Sequence, residues 1–220
     1  MTQLIQTVLI YALPVLFAIT LHEAAHGYAA KRLGDSTAWM MGRVTLNPVK
    51  HIDPVGTIIM PLMLYFATSG AFLFGYAKPV PVRFGKLNNP KRDMIWVSLA
   101  GPGANLVQAI LWKLLLVSLV LSGVEEYFFL AMCKAGILSN VVMFAFNLFP
   151  LPPLDGGRIL LGLLPWKQAA ILSRIEPWGF FIVMGLVIMG VVSALWMRPI
   201  MSLTFGFIDL LFTPLTYFLN

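Results

Sequence analysis

Between Leu4 and Leu33 one charged side chain, Glu23, interrupts an apolar run that closes on Lys31 and Arg32. A run of that length has few ways to bury itself in water. About 20 largely apolar residues cross the hydrocarbon of a bilayer as a helix, and five further runs approach or exceed that length, at roughly 54–77, 94–122, 128–149, 178–197 and 199–219. Composition points the same way: 59% of the 220 residues are hydrophobic and 11% are charged, against about a quarter charged in a soluble domain. The fold class predicted is an all-α polytopic membrane protein with about five to six transmembrane helices. The opening "MTQLIQ" has no basic leader and the first run is too long for a signal peptide, so it is expected to stay as a helix. Cys133 is the one cysteine, which excludes an internal disulfide framework.

The net charge is +6, but the basic residues gather in the loops 34–53, 78–93 and 156–177. That is the bias that orients membrane helices, not a nucleic-acid surface. No loop is long enough for a separate soluble domain. The whole of 1–220 therefore reads as a single membrane-embedded unit.

A polar cluster inside an apolar helix is costly and calls for a function. "HEAAH" is His22-Glu23-Ala24-Ala25-His26. Positions i and i+4 share a helix face, so both imidazoles can bind one metal ion. Glu23, next to the first of them, can take a proton from a water on the metal without being a ligand itself. This is the HExxH pattern of zinc hydrolases. A catalytic zinc has three protein ligands and one open position. The candidates for the third are His51, Asp53, Asp155, Glu176, Asp209 and the Glu125/Glu126 pair.

The stretch "FNLFPLPPLDGGRIL", 146–160, is unusual among these. Pro150, Pro152 and Pro153 block regular helix, and Gly156 and Gly157 free the backbone beside Asp155. Irregular backbone at membrane depth is tolerated where it is buried in protein or lines a watery cavity. Asp155 then sits on a segment suited to a site; a carboxylate solvated at a helix stop is the plainer reading.

The chain resembles the site-2-protease-type intramembrane zinc metalloproteases, in their short form without PDZ or CBS domains. The likeness is carried by "HEAAH" at 22–26, "GRVTLNPVKHIDPVGT" at 42–57, "SLAGPGAN" at 98–105 and "NLFPLPPLDGGR" at 147–158. The resemblance implies one Zn2+ per chain held by His22, His26 and Asp155, with Glu23 as catalytic acid/base. It implies a catalytic core over about 4–160, with C-terminal helices over about 178–219. Asn147 matches the family's asparagine eight residues before the aspartate, and Asn105 closes a Gly-x-x-x-Asn element that starts at Gly101. Either amide could hold substrate or an oxyanion; helix–helix hydrogen bonding is the alternative, and the one favoured for Asn105. The implied activity is hydrolysis of peptide bonds in or near transmembrane segments of membrane-protein substrates, in the cytoplasmic membrane of a prokaryote.

Parity tests this independently. His22 and His26 lie in the C-terminal half of the first run and Asp155 follows the end of the fourth, so those two helices must run the same way to share a metal. Two apolar runs separate them, and one of the two cannot cross. Lys31, Arg32, Arg43 and Lys50 mark the loop before 54–77 as cytoplasmic, and Lys78, Arg83, Lys86, Lys91 and Arg92 mark the loop after it likewise. The segment 54–77 is therefore expected to be re-entrant, with a possible extended β edge at "KPVPVRF". The zinc site would face the cytoplasm. Glu125 and Glu126 fall in an outer loop, and Lys113 is expected to reach toward the outer face. His51 lies on the correct side and stays a rival third ligand.

Two other classes remain. A membrane metalloprotease of the prenyl-protein-processing type also uses HExxH, with a later glutamate as ligand. A metal transporter or metal-binding scaffold would need ionisable residues along a path, whereas here they gather at one depth.

Overall fold

The computed structural model describes residues 2–60, 63, 66 and 77–216. Among these, four helices are long and apolar enough to cross a membrane, or five if one bent pair counts as a span. No strand forms among the described residues. The protein is a multi-pass membrane protein, as its hydropathy predicts.

Helix α1 spans Thr2–Arg32, and Lys31 and Arg32 in its last turn complement the negative end of the helix dipole. Short helix α2, Thr37–Met40, a 3-10 turn Pro48–His51 and a π-helical turn Pro54–Ile59 follow. Helix α3, Pro90–Leu121, opens on a proline whose missing N–H costs nothing at that position. The Asp93 carboxylate closes the same end by accepting the Asn89 N–H at 2.7 Å. Gly123, at a φ of 72°, turns the chain into α4, Tyr127–Asn147. Short helices α5 (Asp155–Leu163) and α6 (Trp166–Ser173) lead to α7 (Glu176–Ile188), bent 68° from α6.

The last two apolar runs are divided differently from the sequence expectation of 178–197 and 199–219. The break lies at Gly190, whose φ of 75° suits glycine. Beyond it a π-helical turn Ser193–Met197 runs straight into α8, Arg198–Thr216. Pro199 occupies the first turn of α8, where proline is tolerated.

Side-chain contacts fix the direction of each helix. His26 and Ala18 of α1 meet Val97 and Asn105 of α3, so later residues of one helix face earlier residues of the other. Asn105 and Trp112 of α3 meet Asn140 and Gly136 of α4 in the same reversed order. Helices α1 and α4 are each antiparallel to α3 and therefore parallel to one another. Ala109, Val117, Ile137, Val141, Ile208 and Phe212 form a shared core of α3, α4 and α8. In lipid such cores cohere by close packing, because lipid tails are as apolar as the side chains. Lys113 bonds Asp209 of α8 at 2.8 Å and so does not simply extend to the outer face.

Because α1 ends where α3 begins, the connection 33–89 leaves and returns at one end of the bundle. The re-entrant expectation for 54–77 falls mostly on 61–62, 64–65 and 67–76, which lie outside the described residues. The expected β edge at 78–84 forms no strand: Phe84 opens a 3-10 turn, and 78–83 is held by scattered main-chain and side-chain bonds. Lys78 N–H bonds the His51 carbonyl at 2.9 Å, the Arg43 guanidinium donates to the Lys78 carbonyl at 2.9 Å, and Val80 N–H bonds Glu23 at 2.7 Å. Arg83 N–H bonds Asp35 at 2.6 Å. Pro79 and Pro81 have no N–H to give, which defeats a ladder. Burial alone would raise the Asp35 carboxyl, but hydrogen bonds from Thr37 and Arg83 hold it below the usual carboxylate range.

This topology predicts a labelling pattern. With Cys133 replaced, single cysteines at Lys50 and at Lys86 should react with a membrane-impermeant maleimide from the same face of the membrane. Reaction from opposite faces would contradict the helix directions.

Candidate metal centre

Three side chains converge at one depth between α1 and the start of α5. His22 Nε2 lies 3.0 Å from His26 Nε2, and the Asp155 Oδ2 lies 3.3 Å from the first and 3.2 Å from the second. Among the described residues this is the one group of three or more potential metal-binding side chains. His22 is buried, and Asp155 retains 13% side-chain exposure.

Each histidine is oriented by α3. His22 Nδ1 faces the Asn105 Oδ1 at 2.6 Å, and His26 Nδ1 faces the Val97 carbonyl at 2.7 Å. Both partners are oxygens, so each Nδ1 carries a proton, and the neutral imidazole that a metal requires then presents its lone pair at Nε2. Two lone pairs and a carboxylate oxygen therefore point at one spot, and the buried Oδ2 has no hydrogen-bond partner. Such a group is mutually repulsive without a positive charge among its members. The near-equilateral spacing of 3.0, 3.2 and 3.3 Å matches a zinc ion, since bonds of about 2.0–2.1 Å give a tetrahedral edge of about 3.3 Å. The residues fit the metal.

Glycines make this convergence possible. A Cβ on Gly101 would collide with His26 Nε2 and lie 2.7 Å from the His22 ring. Any larger residue at 101 would occupy the place of the metal. On the Asp155 side, Gly156 and Gly157 lie inside the first turn of α5, and a Cβ on either would strike the backbone of Leu148 or of Leu151 and Pro152. Their role is close approach to the proline-rich segment, where the sequence suggested backbone freedom. Gly179 of α7 presses on the Pro152 carbonyl from the other side. Asp155 heads α5, where the helix dipole favours a carboxylate.

The other sequence candidates lie apart from the cluster. His51 is buried at 2% exposure, with Nε2 bonded to the Thr45 carbonyl at 3.1 Å. Asp53 caps the turn after it by accepting from Gly56 N–H at 2.7 Å. Glu176 pairs with Arg158 at 3.3 Å and Asp209 with Lys113. Glu23 is half-buried beside His22, one carboxylate oxygen holding Val80 N–H. Asn147 is half-buried and donates to the Met143 carbonyl at 3.0 Å. Asn105 is fully buried, and both amide hydrogens are taken, by the Ala18 carbonyl at 3.1 Å and by Asn140 Oδ1 at 2.9 Å. Sequence reasoning missed Asn140 and the Val97 carbonyl. Asn140 is one of two amides in α4 and nothing local sets it apart; a main-chain carbonyl leaves no signal at all.

The protein named "Putative zinc metalloprotease YwhC" from Bacillus subtilis (strain 168) is 40% identical over 176 residues, covering 76% of this chain and 75% of that protein. The chain belongs to peptidase family M50. The family model described as Peptidase family M50 matches residues 118–191, which include Asp155. Proteins named "Putative zinc metalloprotease Rip2" are also similar. The one from Mycolicibacterium smegmatis is 34% identical over 79% of this chain and 64% of its own length, and one from Mycobacterium tuberculosis (strain ATCC 35801) is 31% identical over 73% and 62%. No solved structure is a significant match. M50 membership makes this a zinc metalloprotease, and His22, His26 and Asp155 are its candidate metal site.

Zinc content of the purified chain should report this geometry. Wild type should hold about one zinc, Asp155→Ala and Gly101→Ala should lose at least about tenfold in affinity, and His51→Ala should stay loaded. A zinc-replete Gly101→Ala protein would show that the approach of α3 to the histidines is not as described.

Proposed function

We propose that this M50 protein is an intramembrane zinc endopeptidase that cuts peptide bonds within or beside transmembrane segments of membrane-protein substrates, as in regulated intramembrane proteolysis. The observation that carries the reading is the convergence of three lone-pair donors, beside a glutamate, between membrane-spanning helices. We take His22, His26 and Asp155 as the ligands. Zinc, when bound there, supplies Lewis-acid polarisation of a carbonyl and acidifies water.

The remaining steps belong to the chain. Val80 N–H holds one oxygen of the Glu23 carboxylate, which fixes the direction of the other. That free oxygen takes the proton from the attacking water and returns it to the leaving amine. Asn105 has no amide hydrogen left for a substrate, so we assign it to orienting His22. Asn147 still has one hydrogen beyond its bond to Met143, and we assign it to substrate or oxyanion binding. A transmembrane helix satisfies its own backbone, so the substrate must be locally unwound to enter.

Orientation follows from charge. The end of the bundle nearer the site carries Lys31, Arg32, Lys78, Arg83, Lys86, Lys91 and Arg92, whereas Glu125 and Glu126 lie at the other. The positive-inside rule then puts the site toward the cytoplasm of a bacterial membrane. We further propose that residues 1–220 act as one membrane-embedded unit. A glutamate ligand, which a prenyl-protein-processing enzyme requires, is not part of the cluster.

Glu23→Gln is the decisive variant. It keeps size and hydrogen bonding but cannot accept the proton. The variant should fold, hold about one zinc and retain an uncut membrane substrate, with cleavage slowed at least about a hundredfold. Near-normal cleavage would remove the mechanism, and loss of zinc would make Glu23 structural instead.

A further inference from the structure

Two asparagines with no exposed surface, Asn105 on α3 and Asn140 on α4, lie behind the metal cluster in the apolar interior. Their hydrogen bonds form a chain with a single polarity. Asn140 Nδ2 donates to the Gly136 carbonyl at 2.9 Å, so Asn140 Oδ1 must face the other way. There it accepts from Asn105 Nδ2 at 2.9 Å, which turns Asn105 Oδ1 toward His22 Nδ1 at 2.6 Å. An oxygen at that place demands a proton on Nδ1, which in the neutral, metal-binding imidazole leaves the lone pair on Nε2. Reversal of either amide would bring oxygen against oxygen or N–H against N–H at a buried contact.

We propose that Asn140 is a positioning residue for the metal site, acting through Asn105 to set the tautomer and ring orientation of His22. The inference rests on the zinc reading above and deepens it. Asn105 has a second anchor in the Ala18 carbonyl, at the longer distance of 3.1 Å. That carbonyl already stands opposite the His22 N–H in the i to i+4 ladder of α1, so its bond to Asn105 is shared. Asn140 Oδ1 has no such competing partner in its own helix ladder. The relay also spans three helices: α1 carries two ligands, α3 carries the amide that orients one, and α4 leads into the segment bearing Asp155. Outer-sphere partners of this kind typically change metal affinity by about 10–100-fold. Ordinary interhelical hydrogen bonding is the competing account, and the two differ in whether zinc senses position 140.

The test uses the full-length chain in detergent micelles, titrated with zinc against a competing chelator, with the cobalt-substituted protein as a spectroscopic reporter. Asn140→Leu should weaken zinc at least about tenfold and shift the visible cobalt bands in the direction that Asn105→Ala shifts them. The double variant should bind zinc within about twofold of Asn105→Ala alone, because a residue acting through another adds nothing once that other is gone. If Asn140→Leu does not accumulate as folded protein, Asn140→Ala carries the same comparison. Zinc affinity and cobalt bands unchanged in the position-140 variants, or losses that multiply in the double variant, would overturn the relay. Failure of wild type to bind zinc, or unchanged binding by His22→Ala, would overturn the zinc reading itself and the relay with it.

Discussion

An imidazole inside a membrane has two nitrogens and no water to satisfy them, and the structure is arranged around that demand. His22 and His26 can present Nε2 to a metal because α3 supplies an acceptor to each Nδ1, from the Asn105 side chain and from the Val97 carbonyl. Both acceptors belong to the N-terminal half of one helix, so α3 must lie against α1 at one height and in one direction. Gly101 permits the contact, since any side chain there would fill the space the metal needs. The interior of the bundle is thus shaped by two rings and the helix that reads them.

The third donor arrives by a different route. Asp155 is carried by a turn of helix that follows a proline-rich break, and Gly156, Gly157 and Gly179 let α5 and α7 close on that segment backbone to backbone. The result is a carboxylate at the head of a helix, close to two histidines and without a hydrogen-bond partner on the atom that faces them. A soluble protein could leave such an atom to solvent. Here the neighbouring donors are lone pairs, and a cation is what completes the group.

The extended segment 77–83 shows how side chains replace a sheet. Its prolines remove alternate donors, the N–H groups of Lys78, Val80 and Arg83 go to the His51 carbonyl, Glu23 and Asp35, and the Arg43 guanidinium donates to the Lys78 carbonyl. One of those bonds fixes a carboxylate oxygen of Glu23. The connection 33–89 therefore reaches the residue proposed to move the proton, while none of its described residues joins the metal cluster.

Spacing along one helix was legible in the sequence, because i and i+4 fall on one face whatever the helix packs against. That made His22, Glu23 and His26 readable, and hydropathy made α1, α3 and α4 readable almost to their ends. The break at Gly190 was misplaced to 198, since hydropathy drops at Arg198 while a glycine turn leaves the run apolar. A β edge was expected where prolines and side-chain partners leave bare extended chain. Asp155 stood out by its broken backbone, but its meeting with two histidines 129 and 133 positions earlier depends on three helices adopting one register. Asn140 had no local pattern to mark it. The sequence by itself determined which residues could bind a metal and that they sit in a membrane. The tertiary structure alone decided which oxygens face the ring nitrogens, and so which nitrogen of each histidine is left to bind. Hydrogen-bond polarity is a property of pairs brought together from different helices, and no stretch of chain carries it alone.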